Sequence, residues 1–254
     1  MKLKDRVALV TGASRGIGEG IARRYAEEGA KVALVSRNLE AVQSLAAEIR
    51  AKGGQALPWK ADVTRVKDVE EMIAAALGHF GKLDILVNNA GIGMAHPSET
   101  LSPEDWRRTM DTNLDAVFYC SQAAARQWIA RKEGGKILNI ASGYGIVAAP
   151  LRAAYCASKA GCIMLTKALA VEWAKYGINV NALAPGYTRT ELVQEIVNRG
   201  VLDEGAIKRR TPLGRFAEIE DLTGMAVLLV SDEGKFITGE TVAIDGGWTA
   251  YGYL

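Results

Sequence analysis

Histidine is nearly missing from this chain: its 254 residues include only His79 and His96. A metal site built on several imidazoles is excluded, and a histidine-based acid–base site has almost no candidates. Cysteine is scarce and odd in number, with Cys120, Cys156 and Cys162 lacking a paired Cys-x-x-Cys spacing. That argues against a disulfide scaffold and against a zinc site with Cys-x-x-Cys geometry. The three read instead as small buried hydrophobes in a reducing compartment. No apolar run approaches the roughly 20 residues that a membrane span needs. The amino-terminal stretch MKLKDRVALVTGASRG has only a short apolar run and no cleavage site of a secretory signal, so a cytoplasmic protein is expected. An excess of one charge is lacking as well: 31 Lys and Arg stand against 29 Asp and Glu, a net charge of +2. Such a balance leaves no basic surplus for nucleic acid or a membrane surface.

What the chain does contain is a regular alternation. Short β-branched runs at 7–11, 31–36, 55–60, 84–88, 136–141, 178–184 and 241–245 predict strands. Segments of helical period at 16–28, 39–52, 66–80, 103–131 (with a break expected near Asn113), 153–176 and 219–231 predict helices. Strands that are apolar throughout, each followed by a helix, imply a parallel sheet covered on both faces, a doubly wound Rossmann-like α/β fold. No linker-like stretch or repeat divides the chain, and its length suits one α/β domain, 1–254. The long segment 187–217, without clear strand content, follows the sixth strand and is expected to form a lid over the carboxyl edge of the sheet.

Between the first strand and the first helix lies Thr11-Gly12-Ala13-Ser14-Arg15-Gly16-Ile17-Gly18. Glycines allow backbone conformations and close approaches that a Cβ blocks, and a helix start offers unpaired N–H groups to a pyrophosphate. The spacing is Gly-x-x-x-Gly-x-Gly. With Asn88-Asn89-Ala90-Gly91 after the fourth strand, Asn113, Ser142, Tyr155-x-x-x-Lys159, and Pro185-Gly186 followed by Thr188, the chain resembles the short-chain dehydrogenase/reductase family along nearly its whole length.

The resemblance implies a nicotinamide cofactor held by Gly12, Ser14, Arg15, Gly16, Ile17 and Gly18 of the turn. It extends the set to Ser36, Arg37 and Asn38 after the second strand, Asp62 and Val63 after the third, Asn89, Ala90 and Gly91 after the fourth, Tyr155 and Lys159, and Pro185, Gly186 and Thr188. NAD-binding relatives usually carry a carboxylate at the end of the second strand, where it accepts from the ribose 2′-hydroxyl. This chain has Ser36 and then Arg37 there, with Arg15 within reach from the turn. Two guanidiniums suit a 2′-phosphate, so NADP(H) is the expected preference, with NAD(H) still possible.

The implied catalytic residues are Asn113, Ser142, Tyr155 and Lys159. Tyr155 and Lys159 are four residues apart and share a helix face. An unassisted tyrosine is a poor base at neutral pH. A lysine charge about 4 Å away contributes roughly 4 kcal/mol at an effective dielectric of about 20, which favours the phenolate. Ser142 would hold the substrate oxygen, and Asn113 matches the family residue that kinks its helix and holds a proton-relay water. A hydrolase reading of Ser142 fails, because neither histidine lies in a motif that supplies its base.

Substrate residues are expected at Met94, Ser142, Tyr144 and Tyr187. Arg152 reads either as a solvated charge or as a partner for an acidic substrate group, and His96 either as a surface-loop residue or as part of the substrate entrance. His79 reads as a structural residue at a helix end. The substrate expected is a small sugar, sugar acid, polyol or ketone. The alternative is reduction of a 3-oxoacyl group on its carrier protein, and a more distant one is a non-catalytic NADP-binding regulator. At the basic docking positions of the acyl-carrier reductases stand Glu133 and Tyr176, although Lys136 remains basic, while Asp245-Gly-Gly-Trp looks more like a sugar or polyol dehydrogenase. The resemblance also implies a homotetramer. The aromatic tail from Trp248 to Leu254 is expected to pack against a neighbouring subunit.

Overall fold

The computed structural model describes residues 1–93, 95–200 and 202–252. The chain alternates β1 (Val7–Thr11), α1 (Gly16–Glu27), β2 (Lys31–Ser36), α2 (Leu39–Ala51), β3 (Gln55–Lys60), α3 (Val66–Phe80) and β4 (Ile85–Asn88). After these come α4 (Pro103–Met110), α5 (Ala116–Arg131), β5 (Gly135–Ile140), α6 (Ala153–Trp173), β6 (Ile178–Pro185), α7 (Glu191–Asn198), α8 (Glu204–Arg210), α9 (Ile219–Val230) and β7 (Thr241–Ile244). The strands form one sheet in the order β3-β2-β1-β4-β5-β6-β7, and every neighbouring pair is parallel. Strand order therefore reverses between β1 and β4, the kind of point where open α/β sheets bind ligands.

The strands alternate their side chains between two apolar layers. Ala8, Val10, Val32 and Leu34 pack with Ile21 and Tyr25 of α1, Leu45 of α2 and Val227 of α9. Val7, Leu9, Ala33 and Val35 pack on the other face with Met72 of α3, Trp128 of α5 and Leu169 of α6. Tyr25, fully buried, donates its hydroxyl to the Ala226 carbonyl (2.8 Å), so the largest polar group in the first layer is satisfied. Pro58 sits in β3, an edge strand, where its missing N–H costs the sheet little.

One polar chain crosses the second layer. Asn88 of β4 and Asn139 of β5 are register partners. Asn88 Nδ2 donates to Ser121 Oγ (2.9 Å) and to Asn139 Oδ1 (2.8 Å), and Asn139 Nδ2 donates to Thr166 Oγ1 (2.9 Å). Among the described residues, Asn88 Oδ1 is buried without a partner.

The segment expected as a helix over 103–131 is α4 and α5 joined by a π-helical turn at Asp111–Asp115 around Asn113. Cys120 and Cys162 are buried as expected, whereas Cys156 is half-buried. Burial pushes the Cys120 thiol up to about 12. Among the described residues, no helix is long and apolar enough to cross a membrane.

Candidate active site

A cleft of about 480 Å³ opens along the carboxyl ends of the central strands. The glycine turn forms one wall. Gly12 and Gly16 adopt φ of +64° and +60°. A Cβ on Gly12 would lie 2.8 Å from Asn89 Nδ2, and one on Gly18 would collide with the same amide. That amide donates to the carbonyls of Thr11 (3.0 Å) and Gly12 (3.1 Å), and Thr11 Oγ1 accepts from the N–H groups of Asn89 and Ala90. The turns after β1 and β4 thus brace each other. The start of α1, with Arg15 as N-cap residue, carries no side-chain cap among the described residues. Its first N–H groups are left to an anionic ligand.

At the far end of this wall, Arg15 and Arg37 are exposed and both line the cleft with Ser36. Neither arginine has a carboxylate within 4 Å among the described residues. Asp62 lies below them and accepts from the Thr64 N–H (3.0 Å) and hydroxyl (2.8 Å). Burial disfavours its charge, but the Thr64 hydrogen bonds, Arg37 and Arg65 outweigh that and hold its carboxyl below the usual range.

The central part of the cleft brings Ser142, Tyr155 and Lys159 together. Ser142 follows β5 and is nearly buried, its Oγ accepting from the Tyr144 N–H (3.1 Å). Tyr155 and Lys159 share one face of α6. Lys159 Nζ lies 5.9 Å from the Tyr155 ring centre and donates to the Ile140 carbonyl (2.7 Å), so the ammonium is fixed to the end of β5.

Asn113 is fully buried behind this group. Its Oδ1 accepts from the Ile92 N–H (2.8 Å), and its Nδ2 donates to the Ile92 carbonyl (2.9 Å) and to Ser158 Oγ (3.2 Å). The π turn thereby ties the loop residue Ile92, just after Gly91, to Ser158 of α6, one residue from Lys159. A π turn inside a long helix is a frequent mark of a functional site.

Most of the residues expected from the sequence line one cleft: Gly12, Ser14, Ile17, Val63, Ala90, Gly91, Pro185, Gly186 and Thr188 join those described above. Three expected residues do not line it. Gly18 packs against Asn89, Asn113 lies behind Ile92, and Asn38 caps α2 by accepting from the Ala41 N–H (3.2 Å). Met94 lies outside the described residues.

Tyr144 and Tyr187 join hydroxyl to hydroxyl at 2.8 Å on the other side of Ser142. Burial, and then this hydrogen bond, raise the Tyr144 phenol above its ordinary value. Arg152 also lines the cleft, while His96 is half-buried outside the cleft lining and its Nδ1 lies 2.9 Å from the Pro97 carbonyl.

Sequence reasoning missed Thr190 and Trp248, which also line the cleft. Thr190 caps α7, and its methyl would meet a Cβ on Gly16 at 3.3 Å. Trp248 follows the turn Asp245-Gly246-Gly247. Such a turn directly after the last strand is the signal that could have brought the next residue back to the carboxyl edge. The tail, expected against a neighbouring subunit, packs on its own chain as far as it is described. Arg210 of α8 donates to the carbonyls of Trp248 (3.2 Å) and Tyr251 (2.6 Å). Tyr253 and Leu254 lie outside the described residues.

A doubly wound parallel sheet with a glycine-braced cleft at its switch point, and Ser, Tyr and Lys side chains gathered inside, defines a dinucleotide-binding α/β enzyme. Comparison with known proteins narrows this. A family model described as enoyl-(acyl carrier protein) reductase matches residues 12–249. Gluconate 5-dehydrogenase of Gluconobacter oxydans is 42% identical over 95% of this chain and 94% of its own. NAD-dependent glycerol dehydrogenase of Listeria innocua is 40% identical over 97% of this chain and 95% of its own. The crystal structure of a gluconate 5-dehydrogenase from Burkholderia cenocepacia in complex with NADP and tartrate superposes with a TM-score of 0.93, at 41% identity, over 98% of this chain and 97% of that one. The chain belongs to the short-chain dehydrogenase/reductase family and is an oxidoreductase of the alcohol–carbonyl pair.

Proposed function

We propose that this enzyme is NADP(H)-dependent and interconverts the ketone and secondary alcohol of a small sugar, sugar acid or polyol. The observation that carries the reading is one continuous cleft with Ser142, Tyr155 and Lys159 at its centre and two exposed guanidiniums at its end. The residues suit the cofactor. The start of α1, without a side-chain cap among the described residues, offers N–H groups to a pyrophosphate, and Arg15 and Arg37, with no described carboxylate within ion-pair distance, suit a 2′-phosphate. NAD(H) remains usable, as the name of the glycerol dehydrogenase relative indicates for that protein.

When bound, the nicotinamide supplies the hydride in reduction and takes it up in oxidation. The protein manages the proton. Tyr155 donates its hydroxyl proton to the carbonyl oxygen as the alcohol forms, and its phenolate takes the proton back in the reverse direction. Ser142 Oγ donates to the same oxygen and stabilises the charge that develops there. Lys159, fixed to the Ile140 carbonyl, places a positive charge 5.9 Å from the Tyr155 ring centre and would hold the nicotinamide ribose. Asn113 acts as a positioning residue, since its side-chain groups are engaged by Ile92 and Ser158. A proton-relay water at this residue would need partners besides its side-chain amide.

The segment 187–217 serves as a lid on a single catalytic domain, 1–254. Its two ends are pinned by the bridge Thr188–Ala217 and by hydrogen bonds from Arg189 N to Ala217 O (2.8 Å) and from Ala217 N to Tyr187 O (2.9 Å). The enzyme works in the cytoplasm as a homotetramer. The outward face of α6, with Ala157, Ala160, Met164, Ala168 and Val171 exposed, supports an assembly. The acyl-carrier alternative has less support. Glu133 pairs with Arg131 (3.6 Å), and Lys136 is half-buried with its ammonium on Asn179 (2.7 Å).

The reading is tested by a panel of ketogluconates, ketoses, simple diketones and a 3-oxoacyl thioester, followed by NADPH absorbance. Turnover of a ketose or keto acid is expected, and Tyr155→Phe should abolish it while the variant still binds NADPH. Turnover of the thioester alone, or wild-type activity in Tyr155→Phe, would overturn it.

A further inference from the structure

Beyond β7 the chain doubles back over the cleft. Asp245 fixes the turn: its carboxylate accepts from the N–H groups of Gly247 and Thr249 (2.9 Å each) and from the Thr249 hydroxyl (2.6 Å). Burial disfavours the charge on Asp245, but these bonds outweigh it and keep the group ionised below the usual range. Gly246 and Gly247 have φ of +64° and +89°, and a Cβ on either would come within 2.9 Å of Thr211 or Pro212. The turn is therefore locked onto the segment just after α8. Thr249 lies against Gly143, the residue between Ser142 and Tyr144, where a Cβ would meet its methyl at 3.3 Å.

This brings Trp248 into the wall of the cleft. Its ring lies 5.3 Å from that of Tyr187, whose ring is in turn 6.1 Å from Tyr144, both in edge-on geometry. Arg210 grips the tail from outside. Its guanidinium stacks 4.8 Å from the Trp248 ring and 4.9 Å from the Tyr251 ring while donating to both main-chain carbonyls. A planar fork can serve two rings and two carbonyls together, and an ammonium cannot.

We propose that residues 245–251 form the wall that sets the size of substrate accepted, with Trp248 as the specificity-determining side chain and Arg210 as its positioning residue. The inference rests on the alcohol–ketone reading above. A ketone whose oxygen meets Ser142 has its substituents beside Tyr144, two residues further on, and so against the ring series Tyr144–Tyr187–Trp248. That wall offers two phenol hydroxyls and aromatic faces to a compact hydroxylated ketone and blocks an extended or bulky one.

The test compares kcat/KM for the best ketose or keto acid of the panel with that for benzylacetone, a bulky ketone. Trp248→Ala is expected to raise the benzylacetone-to-ketose ratio by roughly tenfold or more, the scale on which pocket volume discriminates. Affinity for NADPH, measured by titration, should stay at its wild-type value. Arg210→Ala should move the ratio in the same direction, and Arg210→Lys should follow it because the stacked fork is lost. Both Arg210 variants should speed hydrogen–deuterium exchange across 246–252, a readout independent of turnover. If Trp248→Ala does not fold, Trp248→Phe should shift the ratio in the same direction by less. An unchanged ratio in a folded Trp248 variant would overturn the assignment of Trp248, and unchanged exchange in Arg210→Ala would overturn that of Arg210. Should the wild type reduce no ketone, the functional reading fails, while exchange still decides whether Arg210 holds the tail.

Discussion

Arg37 carries the proposed cofactor preference at the scale of a single side chain. It follows Ser36 at the end of β2, is exposed at the cleft end, and adds to the Thr64 hydrogen bonds that hold the Asp62 carboxyl down against burial. A carboxylate in the place of Ser36 would repel a phosphate, whereas a guanidinium pairs with one through two hydrogen bonds. Hydrogen bonds to charged groups contribute about 1.5–3 kcal/mol. The ratio of kcat/KM for NADPH over NADH is therefore expected to exceed one, and Arg37→Ala should lower it by roughly 10- to 100-fold. A wild-type ratio below one would refute the preference. Two guanidiniums share the task, so Arg15 should retain part of the discrimination in that variant.

At the scale of elements, α9 starts in a capping box formed by Glu218 and Asp221. Asp221 accepts from the Glu218 N–H (2.8 Å) and pairs with Arg215 (2.6 Å). The Arg215 guanidinium, and then the Glu218 N–H, hold its carboxyl at about 2. A carboxyl lowered in the folded protein contributes stability that is complete above its unfolded value of about 4 and is lost as pH falls through the folded value. Loss of such a cap costs about 1 kcal/mol, so Asp221→Ala should lower Tm by about 2–4 °C at neutral pH. The difference between variant and wild type should shrink between about pH 4 and pH 2, as denaturant midpoints would show.

Elements also mark where the sequence was legible. Strands and helices follow local patterning, and the glycine turn and the Tyr155–Lys159 pair are recognisable because their chemistry depends on residues a few positions apart. Asp84 was expected inside β4 but lies just before it, because its carboxylate accepts from the Val7 N–H (2.7 Å) and pairs with Lys82 and Arg6. Asn38 was read as a cofactor contact although an Asn directly before a helical segment is also a cap, and capping is the role its side chain performs. Trp248 and Thr190 were hidden for a different reason: each meets the cleft only through contacts between segments distant in the chain.

For the whole molecule, the question is what covers the outer face of α6. Val171 is 82% exposed and Met164 62%, one helical face apart by seven residues. If that face joins subunits, Val171→Asp should reduce the mass measured by light scattering, with the circular dichroism of the folded chain retained. An unchanged mass would remove α6 from the assembly.

The sheet itself raises a problem of assembly in time. Parallel strands such as β4 and β5 are separated in the chain by a long helical stretch, and pairings of this kind are slow to find. The Asn88–Asn139 pair then acts as a key for alignment. A shift of one residue would turn either amide to the opposite face, separating Asn88 from Ser121 and Asn139 from Thr166. Each buried amide stranded in this way costs about 1–3 kcal/mol. An apolar pair would slide past a misaligned partner with little penalty, so these two asparagines make wrong alignments of the central strands short-lived.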